Sequence, residues 1–153
     1  MIALCSMASF LTEELRVGLF DVFDIAGSAM SAQSVRLNTT ASNLANANSV
    51  AGTAAEAYRS RQPVFETVLN EQGGNFASAS VKVAGVVQSD VPPARVHQPG
   101  HPAADAEGFV YMSNVNPIDE MVNMISASRS YQNSVEVLNT SKDLLLRTLS
   151  LGQ

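Results

Sequence analysis

A chain of 153 residues accommodates one compact domain, or one small domain on an extended helical stem, and excludes two large globular domains. Charged residues make up only 15% against about 25% in an ordinary soluble protein, which implies that much of the outer surface is covered when partners bind. The net charge of -5, from 14 acidic and 9 basic residues without a Lys/Arg cluster, argues against a phosphate backbone and so against nucleic acid as a partner.

The single Cys5 excludes an intramolecular disulfide and leaves the compartment open. No run approaches the roughly 18 apolar residues of a membrane span. Met1 to Leu11 is apolar, with Ser6 and Ala8 spaced like a cleavage site. It lacks the positive flank of a secretory signal, and Glu13 and Glu14 follow it, so it does not read as a cleaved leader.

From Phe20 to Asn48 the chain repeats in sevens. Phe23, Met30, Leu37 and Leu44 fall on one line, and Gly27, Ser34 and Ala41 on the other seam position. Large residues on one line and small ones on the next make a coiled-coil pattern, in which a partner helix approaches closely. Between Arg36 and Glu56 there is no charged residue, and water alone seldom faces such a surface. Either the segment frays into a polar linker, or the helix is packed by neighbouring subunits, with Asn38, Asn43 and Asn46 hydrogen-bonding across those contacts. The helix is expected to stop near Asn46 to Asn48, because asparagine tolerates a left-handed helix stop.

The middle changes character. Val64 to Leu69, Val81 to Val87 and Phe109 to Met112 are short runs rich in β-branched and aromatic residues. Gly73-Gly74 and the proline-rich stretch Val91 to Pro102 separate them. They predict a small sheet or pair of hairpins, with Pro63 confined to an edge or a strand start.

The last element begins at Asn116, a good N-cap, with Pro117 suited to the first helical position. Asp119 and Glu120 lie where the helix dipole favours negative charge. Met121, Ile125, Ser128, Tyr131, Val135, Leu138, Leu145 and Leu149 then recur at three- and four-residue steps, interrupted by Lys142, and Gly152 ends the run. At about 1.5 Å per residue the two helices should span roughly 40 Å and 45–50 Å, matched well enough to pair as an antiparallel hairpin. The expected fold is mainly α with a small β insert: an N-terminal extension over 1–17, a stem of 18–56 and 116–153, and a β-rich insert over 57–115.

No catalytic apparatus is visible. His97 and His101 have a spacing that a helix could use for a metal, but Pro99, Gly100 and Pro102 forbid a helix there, and no cysteine or acidic cluster completes a ligand set. Asp105 and Glu107 read as turn residues. There is no G-x-S-x-G elbow and no phosphate-cradling glycine motif. Met121 and Met124 suit packing better than a cofactor box. The reading is therefore no enzyme, no cofactor, no metal and no small-molecule substrate.

Two stretches carry a resemblance. SAMSAQSVRLNTTASNLANANS, Ser28 to Ser49, resembles the N-terminal motif of bacterial flagellar rod, hook and hook-associated proteins, and Asn114 to Gln153 is similar to their C-terminal motif. The stretch HPAADAEGFVYMSNVN running into the last helix, after so short a middle, resembles the proximal-rod members of that family. The resemblance covers nearly all of the chain from about Gly18. It implies an axial subunit exported through the flagellar type III apparatus without signal cleavage. Such a subunit assembles in the periplasm with itself and other rod subunits, next to the flagellar base and export gate. Ser49 stands where relatives often carry threonine, a change that keeps the hydroxyl.

Family members of this type usually begin just before a segment like LFDVFDIAGSAM, so Met1 to Val17 is extra. The expectation is that translation starts at Val17, and native peptides covering Leu4 to Arg16 in mass spectrometry would overturn it. A rival expectation for the whole chain is a soluble coiled-coil adaptor or export chaperone that never enters a polymer.

Overall fold

The computed structural model describes the backbone of residues 2–72 and 75–151 and the side chains of residues 21–69 and 79–150. Two long helices flank five strands: α1 (Ile2–Ala45), β1 (Val50–Ala51), β2 (Arg61–Gln72), β3 (Asn75–Gln88), β4 (Ala94–His97), β5 (Phe109–Met112) and α2 (Pro117–Leu151). Contacts divide the chain into two units. One comprises Met1–Ala32, Glu66–Lys82 and Ser130–Gln153, and the other Gln33–Phe65 and Val83–Arg129. Each helix contributes to both.

The expected division into mainly helical ends and a small β-rich middle is what the chain adopts. The Gly73-Gly74 connection and the stop at Gly152 lie outside the described residues. Two boundaries differ from expectation. α1 runs from Ile2 and takes in the segment read as an extension, so its 44 residues rise roughly 66 Å. It ends at Ala45, close to the stop expected near Asn46 to Asn48, so that residues 46–56 of the 18–56 stem segment form turns, bends and β1.

The helix stop works differently from the one expected. Asn46 N–H donates to the Ser42 and Asn43 carbonyls, and Ala47 N–H to that of Leu44. The Ser49 hydroxyl donates to the Asn46 carbonyl at 2.8 Å. These tightening turns satisfy the last carbonyls, and among the described residues no non-glycine residue takes a positive φ. Asparagine's left-handed tolerance is not used.

Within the chain, the buried positions of α1 do not fall on the large-residue line read from sequence. The line through Ala26, Gln33 and Thr40 is the inward one, with Ala26 and Thr40 buried and Ala32, Thr39 and Asn43 buried beside it. Phe23, Met30, Leu37 and Leu44 are half-buried flanks, and two of the predicted small seam residues, Ser34 and Ala41, are exposed. The buried line lies three residues on from the predicted large line, a rotation of about 60°. Small side chains win the inner line because they let the backbone of another element come close, while larger residues cover the margins.

In the Gln33–Phe65 and Val83–Arg129 unit, β1, β5 and β4 form a three-stranded antiparallel sheet with β5 in the centre, Val50 facing Met112 and Val96 facing Val110. Val110, on the central strand, is 0% exposed. The proline-rich stretch read as a loop thus contains β4. The Gln98–Gly108 connection is held by Asp105, whose Oδ1 accepts from the N–H groups of Glu107 and Phe109, at 2.9 and 2.8 Å. That bears out the turn role expected of this acidic pair. Gly108 adopts φ +79°, and a Cβ there would lie 3.0 Å from that of Pro99, so only glycine fits. Arg95 stacks 3.7 Å over Phe109 and pairs with Glu107 at 2.6 Å. His97 packs tilted against the same ring, and His101 Nδ1 accepts from Ala103 N–H.

β2 and β3 form a separate two-stranded sheet. Pro63 sits near the start of β2, where an open edge leaves its missing N–H harmless. In the other unit, the Ser28 hydroxyl donates to the Ile25 carbonyl and accepts from Val81 N–H at 3.2 Å, which ties β3 to α1.

Candidate assembly surface

Two asparagines fix the foot of the β2–β3 sheet. Asn43, on the last turns of α1, is 1% exposed. Its Nδ2 donates to the Arg61 carbonyl at 2.8 Å, and its Oδ1 accepts from Arg61 N–H and the Tyr58 hydroxyl at 2.9 and 3.0 Å. A single amide thus satisfies both backbone groups of the first β2 residue. Asn114 does the same work from the other side, its Oδ1 accepting from Ser60 N–H and its Nδ2 donating to the Val91 carbonyl, both at 2.7 Å. Ser89 N–H closes the foot onto the Ser60 carbonyl.

Asn43 was expected to bond across subunit contacts. Its amide is instead bonded within the chain, and the side chain is buried there. Asn46 likewise turns its Nδ2 onto the Ser42 carbonyl, although it remains half-buried, and Asn38 is exposed.

α2 begins as expected. Asn116 Oδ1 accepts from Ile118 N–H at 3.1 Å, and its Nδ2 donates to Asp119 at 2.8 Å, a reciprocal cap of a kind that contributes about 1 kcal/mol. Along the helix, Glu120, Met124, Ala127, Tyr131, Ser134, Leu138, Ser141 and Leu145 alternate in steps of four and three. All are buried or half-buried. This is a sevenfold inner line of mixed size and polarity, with Ala127 sealed completely. Val135 is half-buried beside it and Leu149 exposed.

Met121 and Ile125, read from sequence on the same stripe as Tyr131 and Leu138, belong to the opposite face. Ile118, Met121, Val122 and Ile125 form an outer stripe on the first turns, exposed by between 47% and 68%. A helix normally has one apolar face and one charged one; the start of α2 has an inner line and an apolar back.

Where α1 and α2 meet in this unit, Arg36 donates to Asn123 Oδ1 at 3.2 Å. Beside that bond lies a groove of about 260 Å³, lined by Arg36, Thr40, Arg61, Gln62, Pro63, Phe65, Glu120 and Asn123. Glu120 lies in the first turn as expected, where it is buried and lines this groove. Sequence reasoning missed Asn114, Tyr58 and Glu120 as organising residues, and no periodicity could have singled out the first two. Among the described residues no group of three or more His, Cys, Asp or Glu side chains could hold a metal ion, and no helix is long and apolar enough to cross a membrane.

Comparison with known proteins matches both ends of the chain. Residues 23–52 fit the family of flagella basal body rod proteins, and residues 106–151 the C-terminal family of the flagellar basal body rod FlgEFG proteins. The chain is 55% identical over 137 residues to the flagellar basal-body rod protein FlgC of Escherichia coli O6:H1, and 53% identical over 137 residues to that of Salmonella typhimurium. Both alignments span 90% of this chain and 100% of the relative. The FlgC protein of Bacillus subtilis is 33% identical over 147 residues, spanning 88% of this chain and 98% of its own. With matched motifs at the foot of α1 and along α2, and full-length relatives at these identities, the chain belongs to the FlgC family of flagellar basal-body rod proteins.

Proposed function

We propose that this chain is a structural subunit of the flagellar basal-body rod, without catalytic activity, and that it polymerises head-to-tail into the axial drive shaft. Its terminal helices pair antiparallel as a coiled-coil stem, and the β-rich middle meets neighbouring subunits. The observation that carries the reading is the double-sided start of α2. One line is used inside the chain, and an apolar stripe on the opposite side stays about half exposed or more. A charge-poor surface and family membership point the same way.

Torque in such a rod is carried by shear across many packed helix contacts, each non-directional and summed over area. A contact that repeats without closing gives a helical tube rather than a ring. Phe23, Met30, Leu37 and Leu44, half-buried within the chain, are positioned to complete their burial against neighbours, as are Tyr131, Val135, Leu138, Leu145 and the exposed Leu149. Export through the flagellar type III apparatus and placement at the base-proximal end of the rod belong to the same reading.

Fractionation tests it. The chain should co-purify with intact basal bodies stripped of membrane and filament. Recovery only in the cytosol would identify a soluble adaptor or export chaperone instead.

A further inference from the structure

The outer stripe of α2 has a counterpart within the same unit. Val64 and Phe65 are consecutive residues of β2, so they point to opposite faces of the sheet, and both are exposed; Val86 and Val87 repeat this on β3. The foot of a two-stranded sheet is therefore apolar on both faces, where an isolated strand pair is marginal in water and needs a covering element. The four large apolar side chains on adjacent helical turns make one exposed stripe, and each face of the sheet foot exposes one of Val64 and Phe65 and one of Val86 and Val87.

We propose that the Ile118–Ile125 stripe of one copy seats on one face of the β2–β3 foot of a second copy of this chain. The proposal rests on the rod-subunit reading. Three features select this occupant. The two patches differ, so patch to counterpart is a heterologous contact that extends a polymer, whereas stripe on stripe would close a two-fold dimer and leave the sheet foot bare. A helix presenting residues at i, i+3, i+4 and i+7 is the shape that covers a sheet face. The margins are complementary in charge: exposed Asp119 borders the stripe, and Arg59 and Arg61 stand at the start of β2, with Arg61 exposed. That arrangement fixes register more than affinity.

Cross-linking in assembled rods tests the pairing. In a Cys5→Ser background, Val122→Cys and Val86→Cys chains are co-expressed as separate polypeptides, basal bodies are isolated, and a flexible bis-maleimide is added. A dimer band containing one chain of each kind, absent when either variant is present alone, is the expected result. A dimer from Val122→Cys alone, a cross-link from Val122→Cys to a different protein, or no cross-link in rods containing both variants would overturn it. If instead neither variant nor the parent chain enters basal bodies, the rod-subunit reading itself fails, which separates the two conclusions.

Discussion

Replacing Asn43 by alanine should lower the unfolding free energy by about 3 kcal/mol, moving the urea midpoint down by about 1.5 M. The amide holds Arg61 N–H, the Arg61 carbonyl and the Tyr58 hydroxyl in one buried position. Truncation removes all three partners at once. Leaving a buried donor or acceptor unpaired costs about 1–3 kcal/mol each, reduced here because Arg61 is exposed and water can reach some of the freed groups. Against a total stability of roughly 5–15 kcal/mol, that is enough to release the foot of the β2–β3 sheet before the rest of the chain. Limited proteolysis between Tyr58 and Gln62 should accelerate in parallel. Asn43→Asp keeps the acceptor but turns a carboxylate toward the Arg61 carbonyl in a sealed site, and should be at least as damaging. An unchanged urea midpoint in Asn43→Ala would show that the amide is an ornament of the foot rather than its anchor.

The same residue shows what a sequence can disclose. The missing charge between Arg36 and Glu56 singles out a segment that contains the buried Asn43, although Asn38, Ala41, Ala45 and Asn48 in it are exposed. It cannot say what covers that segment, and the answer is partly the chain's own β2. Likewise a repeat of seven is legible in Phe23, Met30, Leu37 and Leu44, but a period carries no phase. The inner line fell to alanine and threonine because close backbone approach outweighed side-chain size. On α2, N-cap chemistry at Asn116 was readable because capping is local. The assignment of Met121 and Ile125 to one face with Tyr131 failed, since apolar residues on both sides of a helix blur into one broad stripe. Short β1 and β4 were illegible for a related reason. They are only two and four residues long, and β1 pairs with β5 across a long sequence separation. Pro92 and Pro93 also mask β4 with a loop signature.

That double-sidedness gives the prediction with the largest functional effect. Ile125→Asp changes a side chain already more than half exposed, so the isolated chain should keep its stability to within about 1 kcal/mol. In the proposed contact, however, the same position is covered by a neighbour, and an unpaired carboxylate buried there would cost several kcal/mol at each repeated contact. Cells carrying Ile125→Asp should make the chain at normal levels, fail to retain it in basal bodies and lose swimming altogether. Leu138→Asp and Leu37→Asp, on half-buried positions, should also abolish swimming, but through a different route. There the charge enters packing within the chain, so the purified protein itself loses about 2–3 kcal/mol of stability. Measuring urea midpoints beside swim-plate diameters separates the two. Normal swimming in Ile125→Asp would remove the outer stripe from the assembly surface. A large loss of stability in that variant would mean that the stripe is covered by the chain itself.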